Sequence, residues 1–256
     1  MTLITVDGVA LETRTIPGDA NAAPLVFLHE GLGSVDLWRT FPRALARQVG
    51  ARALLYSRQG YGRSDPLAAP RQPTFMHEEA LQVLPTLLQA TGFAQPILVG
   101  HSDGASIALI HAALCEPAPR ALVLMAPHVF VEQVCVDAIA AVRARYQNGD
   151  LRERLQRYHT HVDDAFLGWA DVWLSEPFAR WSIQALVTSV PCPIMLIQGT
   201  DDEYGSLVQL DAIEEAASVP VSRLVLHDCG HSPHRDHPDL VLDAVSGFIA
   251  GLDAAG

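Results

Sequence analysis

Short, nearly unbroken apolar runs alternate with amphipathic stretches along most of the chain. The runs Leu25–Leu28, Ala53–Tyr56, Ile97–Val99, Ala121–Met125, Ile194–Ile197 and Leu224–Leu226 are too continuous in apolar character to leave one face wet, which predicts strands of a buried parallel sheet. Helical periodicity covers Leu37–Val49, Glu78–Thr91, Ser102–Cys115, Leu207–Ala217 and Pro238–Leu252, one after nearly every strand. Ahead of these, Leu3–Val9 and Leu11–Ile16 flank Asp7-Gly8 and read as a hairpin. The expected architecture is α/β: a mostly parallel sheet with helices on both faces.

One stretch breaks the alternation. From His128 to Pro191 no strand pattern appears, and the interval is several times longer than the few residues that usually join a strand to its helix. Its own helical patterns predict a cap over 128–190, inserted after the sixth strand into a core made of 1–127 and 191–256. The segment holds Phe130, Tyr146, Tyr158, Phe166, Trp169, Trp173, Phe178 and Trp181, nearly half of the aromatic residues of the chain. Most of these are expected to glue the cap to the body, and the rest to line an apolar acyl-binding pocket, with Trp169 and Trp173 as candidates.

Composition narrows the chemistry. With 256 residues and a formal charge of -12, the chain is long enough for one large domain and unsuited to nucleic acid or anionic membrane, which need clustered positive charge. All 17 basic residues are arginine, so Schiff-base catalysis, a Ser-Lys dyad and a phosphate-loop lysine are excluded. The arginines Arg143, Arg145, Arg152, Arg154 and Arg157 read as a solvated helix face balanced by Asp150 and Glu153. Cys115, Cys135, Cys192 and Cys229 form no Cys-x-x-Cys pair. Residues Met1–Val9 lack the pattern of a secretory leader, and no run approaches the ~20 apolar residues of a membrane span. A cytoplasmic enzyme without metal or cofactor is expected.

Between the run ending at Val99 and the helix from Ala105 stand Gly100-His101-Ser102-Asp103-Gly104. A strand that turns at once into a helix leaves little room, and flanking glycines remove side chains that would collide, exposing the serine hydroxyl at the helix N-terminus. A serine needs a base, and the base needs a carboxylate to fix its tautomer. Of 11 histidines, His231 stands just past a late strand in Asp228-Cys229-Gly230-His231-Ser232-Pro233, where α/β sites form. The spacing of His231, His234 and His237, broken by Pro233 and Pro238, does not place two imidazoles on one helical face as a zinc motif would. The strand before it runs into Gly199-Thr200-Asp201-Asp202-Glu203, which offers the acid.

On these residues the chain resembles the α/β-hydrolase superfamily over nearly its whole length, with the family order of serine, acid, histidine. The resemblance implies Ser102 as nucleophile, His231 as base and Asp202, rather than Asp201, as acid. Leu28-His29-Glu30-Gly31-Leu32-Gly33-Ser34 resembles the family's His-Gly oxyanion loop, interrupted by Glu30. If Gly31 takes the place of the usual glycine, Leu32 supplies the first oxyanion N–H; if Glu30 does, Gly31 supplies it. The second donor would be the N–H of Asp103. His29 would order the loop, and His128 would border the pocket. Ser57-Arg58-Gln59-Gly60-Tyr61-Gly62-Arg63-Ser64 resembles the family's Asp-x-x-Gly-x-Gly-x-Ser turn, with Ser57 in place of Asp, and would be structural. Asp103 or Glu30 would pair with an arginine such as Arg58. The implied function is a serine hydrolase acting on a small-molecule ester or lactone through an acyl-enzyme. Thioester or carbon–carbon bond hydrolysis, cofactor-free haloperoxidase-like chemistry and non-catalytic ligand binding are the other readings.

Overall fold

The computed structural model describes residues 1–254. Eight strands, β1 (Thr2–Val6), β2 (Val9–Ile16), β3 (Leu25–Leu28), β4 (Ala53–Tyr56), β5 (Ile97–His101), β6 (Ala121–Met125), β7 (Ile194–Gly199) and β8 (Val221–Leu226), form one sheet in the order β1-β2-β4-β3-β5-β6-β7-β8. The hairpin β1–β2 is antiparallel and joins β4 antiparallel; every other pairing is parallel. Strands β3 to β7 are buried along their whole length, as their unbroken apolar runs require. Strand β8 departs from that expectation. It begins at Val221 and exposes Ser222 and Arg223, because as the edge strand it has no neighbour on its far side.

Helices α1 (Phe41–Gln48) and α10 (Pro238–Ala254), the latter following the short α9 (Pro233–Asp236), cover one face, where Phe41, Leu45, Val241 and Val245 pack with Phe27, Leu55 and Val99. The other face carries α2 (Phe75–Glu78), a π-helical turn (Glu79–Val83), α3 (Leu84–Thr91), α4 (Asp103–Leu114) and α8 (Val208–Ala216). Helix α1 starts four residues later than its periodicity suggests. Residues 34–39 close turns onto Ser34 and Asp36 instead, and Arg39 sits at φ 55°, outside the right-handed helix. The 78–91 periodicity starts earlier, at Phe75, and contains the π turn ahead of Pro85, which has no N–H to return to the preceding turn. Helix α4 is apolar all round and buried from Asp103 to Ala112, the position of a helix enclosed by the fold.

Between β6 and β7 lie α5 (Gln133–Asn148), α6 (Leu151–Leu155), α7 (Val162–Trp173) and two 3₁₀ turns, Phe178–Arg180 and Gln184–Ser189. The two ends of this segment are tied by a bridge between Phe130 and Ser182 and by the Ile183 N–H donating to the Val129 carbonyl at 2.8 Å. Tyr146 stacks on Phe166 with ring centroids 3.8 Å apart. Arg143 and Arg152 pair with Asp171 and Asp163, at 2.8 and 2.7 Å, rather than with Asp150 or Glu153.

The parallel register gathers the functional loops. Leu28 pairs with Gly100, His101 with Met125, Met125 with Ile197 and Gly199 with Leu226, so the chain leaves β3, β5, β6, β7 and β8 along one edge of the sheet. Ser102 follows β5 directly and caps α4 instead of beginning it, at φ 54° and ψ -121°, a conformation that side chains avoid. Gly100 and Gly104 make this turn possible: a Cβ at Gly100 would lie 2.5 Å from the Ala105 Cα, and one at Gly104 would collide with the Leu28 carbonyl. Since both obstacles are backbone, Gly104→Ala is expected to lower stability by about 3 kcal/mol, read by urea unfolding. A loss below 1 kcal/mol would mean that β3 and α4 can separate.

Candidate active site

Ser102, His231 and Asp202 come from the loops after β5, β8 and β7 and meet at the sheet edge. The Ser102 Oγ lies 2.9 Å from His231 Nε2, and His231 Nδ1 lies 2.7 Å from Asp202 Oδ1. With a carboxylate on Nδ1, that nitrogen carries the proton and Nε2 offers its lone pair to the serine hydroxyl. The same Asp202 oxygen accepts the N–H groups of Tyr204 at 2.9 Å and Gly205 at 3.3 Å, which fixes the acid loop. Asp201 instead accepts the Thr200 hydroxyl at 3.2 Å.

The electrostatics follow from burial and pairing. Burial alone would lower the pKa of His231, but the adjacent Asp202 carboxylate outweighs it and the net shift is upward. Burial would likewise raise Asp202, and His231 overrides it, so the carboxylate is held below its usual range. At His128 the pull of Asp202 is too weak to win. Burial and the neighbouring His231 bring it down to about 3, leaving a neutral imidazole on the cavity wall.

The cavity at Ser102 has a volume of about 120 Å³. Glu30, Gly31, Leu32, Asp103, His128, Trp169 and Trp173, all candidates from the sequence, line it together with Ser102 and His231. Both Gly31 and Leu32 border the cavity, in the turn closed by the Gly33 N–H on the Glu30 carbonyl at 3.0 Å. The Asp103 N–H belongs to the first turn of α4, where amides have no partner within the helix.

Arg58 holds these parts together. It is buried, donates to the carbonyls of His29 at 2.5 Å and Glu30 at 3.0 Å, and its guanidinium approaches Asp103 Oδ2 at 4.0 Å. Burial raises the Asp103 pKa, and Arg58 works against that rise. Asp103 also accepts the Trp173 indole N–H at 3.2 Å. His29 contributes from the other side, with Nδ1 on the Glu30 carbonyl at 2.7 Å and Nε2 accepting the Arg58 N–H at 3.1 Å. Glu30 pairs with Arg235 at 3.4 Å and faces His101 Nδ1 at 3.5 Å, not Arg58.

Several contributors carry no sequence signal of their own. Tyr204 packs on the His231 ring at 4.7 Å, and His101 Nε2 meets the His231 carbonyl at 2.6 Å. His234 is a core residue against Trp38 and Phe41, at 5.0 and 5.5 Å. Glu12 on β2 is buried and accepts from the Ser57 hydroxyl at 2.8 Å and the Arg63 N–H at 3.0 Å; Ser57 Oγ in turn accepts the Val35 N–H at 2.9 Å. A carboxylate thus does lie beneath the Gly60-Tyr61-Gly62 turn, supplied from another strand. Gly62, at φ 58°, leaves the space that it fills.

The fold is shared with characterised proteins. Among solved structures, a carboxylesterase of the thaumarchaeon Nitrososphaera gargenis superposes with a TM-score of 0.83 at 17% identity, covering 100% of both chains. An enol-lactonase from Burkholderia xenovorans LB400 gives 0.76 at 19%, covering 97% of this chain and 100% of the other. At such identities the likeness is one of fold. The sn-1-specific diacylglycerol lipase ABHD11 of Mus musculus is 30% identical over 127 residues, 50% of this chain and 36% of that protein, so the match spans about a third of the relative's length. The model of the alpha/beta hydrolase family matches residues 25–244. Because that match runs from β3 into α10, through both the Ser102 turn and the His231 loop, the chain belongs to the alpha/beta hydrolase family.

Proposed function

We propose that the protein is a serine hydrolase that cleaves small carboxylic esters or lactones through an acyl-enzyme. The observation that carries this reading is the continuous relay Ser102 Oγ, His231 Nε2, His231 Nδ1, Asp202 Oδ1, with links of 2.9 and 2.7 Å. His231 takes the hydroxyl proton as Ser102 attacks the carbonyl carbon. The negative oxygen of the tetrahedral intermediate is met by the N–H of Asp103 and by that of Leu32 or Gly31. His231 then returns the proton to the leaving alkoxide, and water activated by the same imidazole releases the acid. The esterase and lactonase neighbours support the ester and lactone classes by analogy of fold.

Two measurements test this. A fluorophosphonate should label Ser102, located by peptide mass, and p-nitrophenyl acetate should be hydrolysed without added cofactor. The base must be neutral to accept a proton, so kcat/KM should fall on acidification. Because Asp202 raises the His231 pKa, the midpoint should lie above the ordinary 6.5. A midpoint below that value, or labelling elsewhere than Ser102, would refute the assignment.

A further inference from the structure

We propose that Asp103, acting through Trp173, and Trp169, packed on Gly31, close the acyl pocket so that the enzyme takes esters of short acids that carry no negative charge. The inference rests on the serine-hydrolase reading and adds the substrate class.

Volume comes first. Ligand pockets commonly span ~300–1,000 Å³, whereas the cavity at Ser102 has about 120 Å³. A space of that size suits a short acyl chain rather than a long one. A larger groove, of about 550 Å³, lies on the opposite side of α7, along Leu167, Gly168, Asp171 and the Leu67–Pro73 loop. Helix α7 is therefore a partition, and Trp169 and Trp173 are its inner surface.

Those two walls are fixed. The Trp173 indole donates to Asp103 Oδ1 at 3.2 Å and is held edge-on between Phe178, at 4.8 Å, and His128, at 5.2 Å. Asp103 is itself anchored by Arg58, which is bonded to the loop carrying Gly31. The Trp169 indole lies so close to Gly31 that a Cβ there would strike its nitrogen, and Phe166 backs it at 6.0 Å. A carboxylate beside the nucleophile opposes the developing oxyanion and is costly to bury. Pinning Trp173 gives it a role. The charge balance points the same way: Glu30 and Asp103 line the cavity while no arginine does, so an anionic acyl group finds no counter-ion.

The test compares p-nitrophenyl acetate, butyrate and octanoate, and in parallel the rate at which methyl and octyl p-nitrophenyl phosphonates modify Ser102, read by intact mass. The wild type should favour butyrate over octanoate by about 100-fold in kcat/KM, a ratio within reach of pocket sterics. Trp169→Ala and Trp173→Ala should raise octanoate turnover at least tenfold and reduce that ratio. Asp103→Asn keeps an acceptor for the indole and should keep the ratio, whereas Asp103→Ala should lose it. Asp103→Ala strands a buried Arg58; if it fails to fold, the tryptophan variants decide alone. Equal modification by short and long phosphonates, or unchanged ratios in both tryptophan variants, would overturn the gate. Short-chain modification without turnover of any ester would uphold the gate and refute the ester assignment, and no modification by either phosphonate would overturn both.

Discussion

Ser102→Ala is expected to abolish ester hydrolysis, with kcat falling by about 10⁵–10⁶-fold, while the protein folds as well as before. Removing the nucleophile of a Ser-His-Asp unit disables the whole unit, so one substitution costs nearly as much as removing all three side chains. On the energy scale this is about 7–8 kcal/mol of barrier. Stability should move the other way. Ser102 is held at φ 54° and ψ -121°, a region that costs ~1–3 kcal/mol for a residue with a side chain. Ser102→Gly removes the Cβ at that position and should gain about 1 kcal/mol in urea unfolding while being equally inactive. Hydrolysis within tenfold of wild type in either variant would show that another group attacks the ester.

Asp202→Ala is the second large effect, a loss of about 10⁴-fold in kcat. Two consequences separate it from mere loosening of the loop. With the carboxylate gone, burial of His231 is opposed only by the weaker pull of Glu203 and Glu30, so the acid limb of the pH profile should move down from its raised position. Asp202→Asn should fall between wild type and alanine. The oxygen that meets His231 Nδ1 also accepts the Tyr204 and Gly205 N–H groups, so an asparagine amide can leave its oxygen in place, preserving the tautomer and losing only the charge. An acid limb that stays where it was in Asp202→Ala would rule out Asp202 as the partner that tunes His231.

The inner strands were legible because a buried parallel strand needs apolar residues on both faces, and β3 to β7 have little else. β8 misled because Leu224–Leu226 reads like them while Ser222 and Arg223, the two residues just before, reveal the open edge. The serine and histidine announced themselves through the glycines and prolines around them, which mark the turns that expose a side chain. Tyr204 and His101 sit in the same turns with no such mark, and their contacts with His231 arise only from how the loops fold together. Trp169 and Trp173, four apart on α7, share a helical face by spacing alone. That this face looks at Ser102, while Phe178 and Trp181 stack on each other at 5.2 Å, depends on tertiary packing that periodicity does not encode.

Glu12 bears on modularity. The family match begins at residue 25, yet the carboxylate beneath the Gly60–Gly62 turn reaches it from β2, and Val245 and Ile249 beyond the match complete the packing of α10 on the sheet. What is recognisable by descent and what melts as one unit have different borders here. A fragment trimmed to residues 25–244 would retain every atom of the Ser102–His231–Asp202 relay and forfeit the carboxylate beneath the Gly60–Gly62 turn. Transplanting this site into another scaffold would mean carrying the N-terminal hairpin along with it.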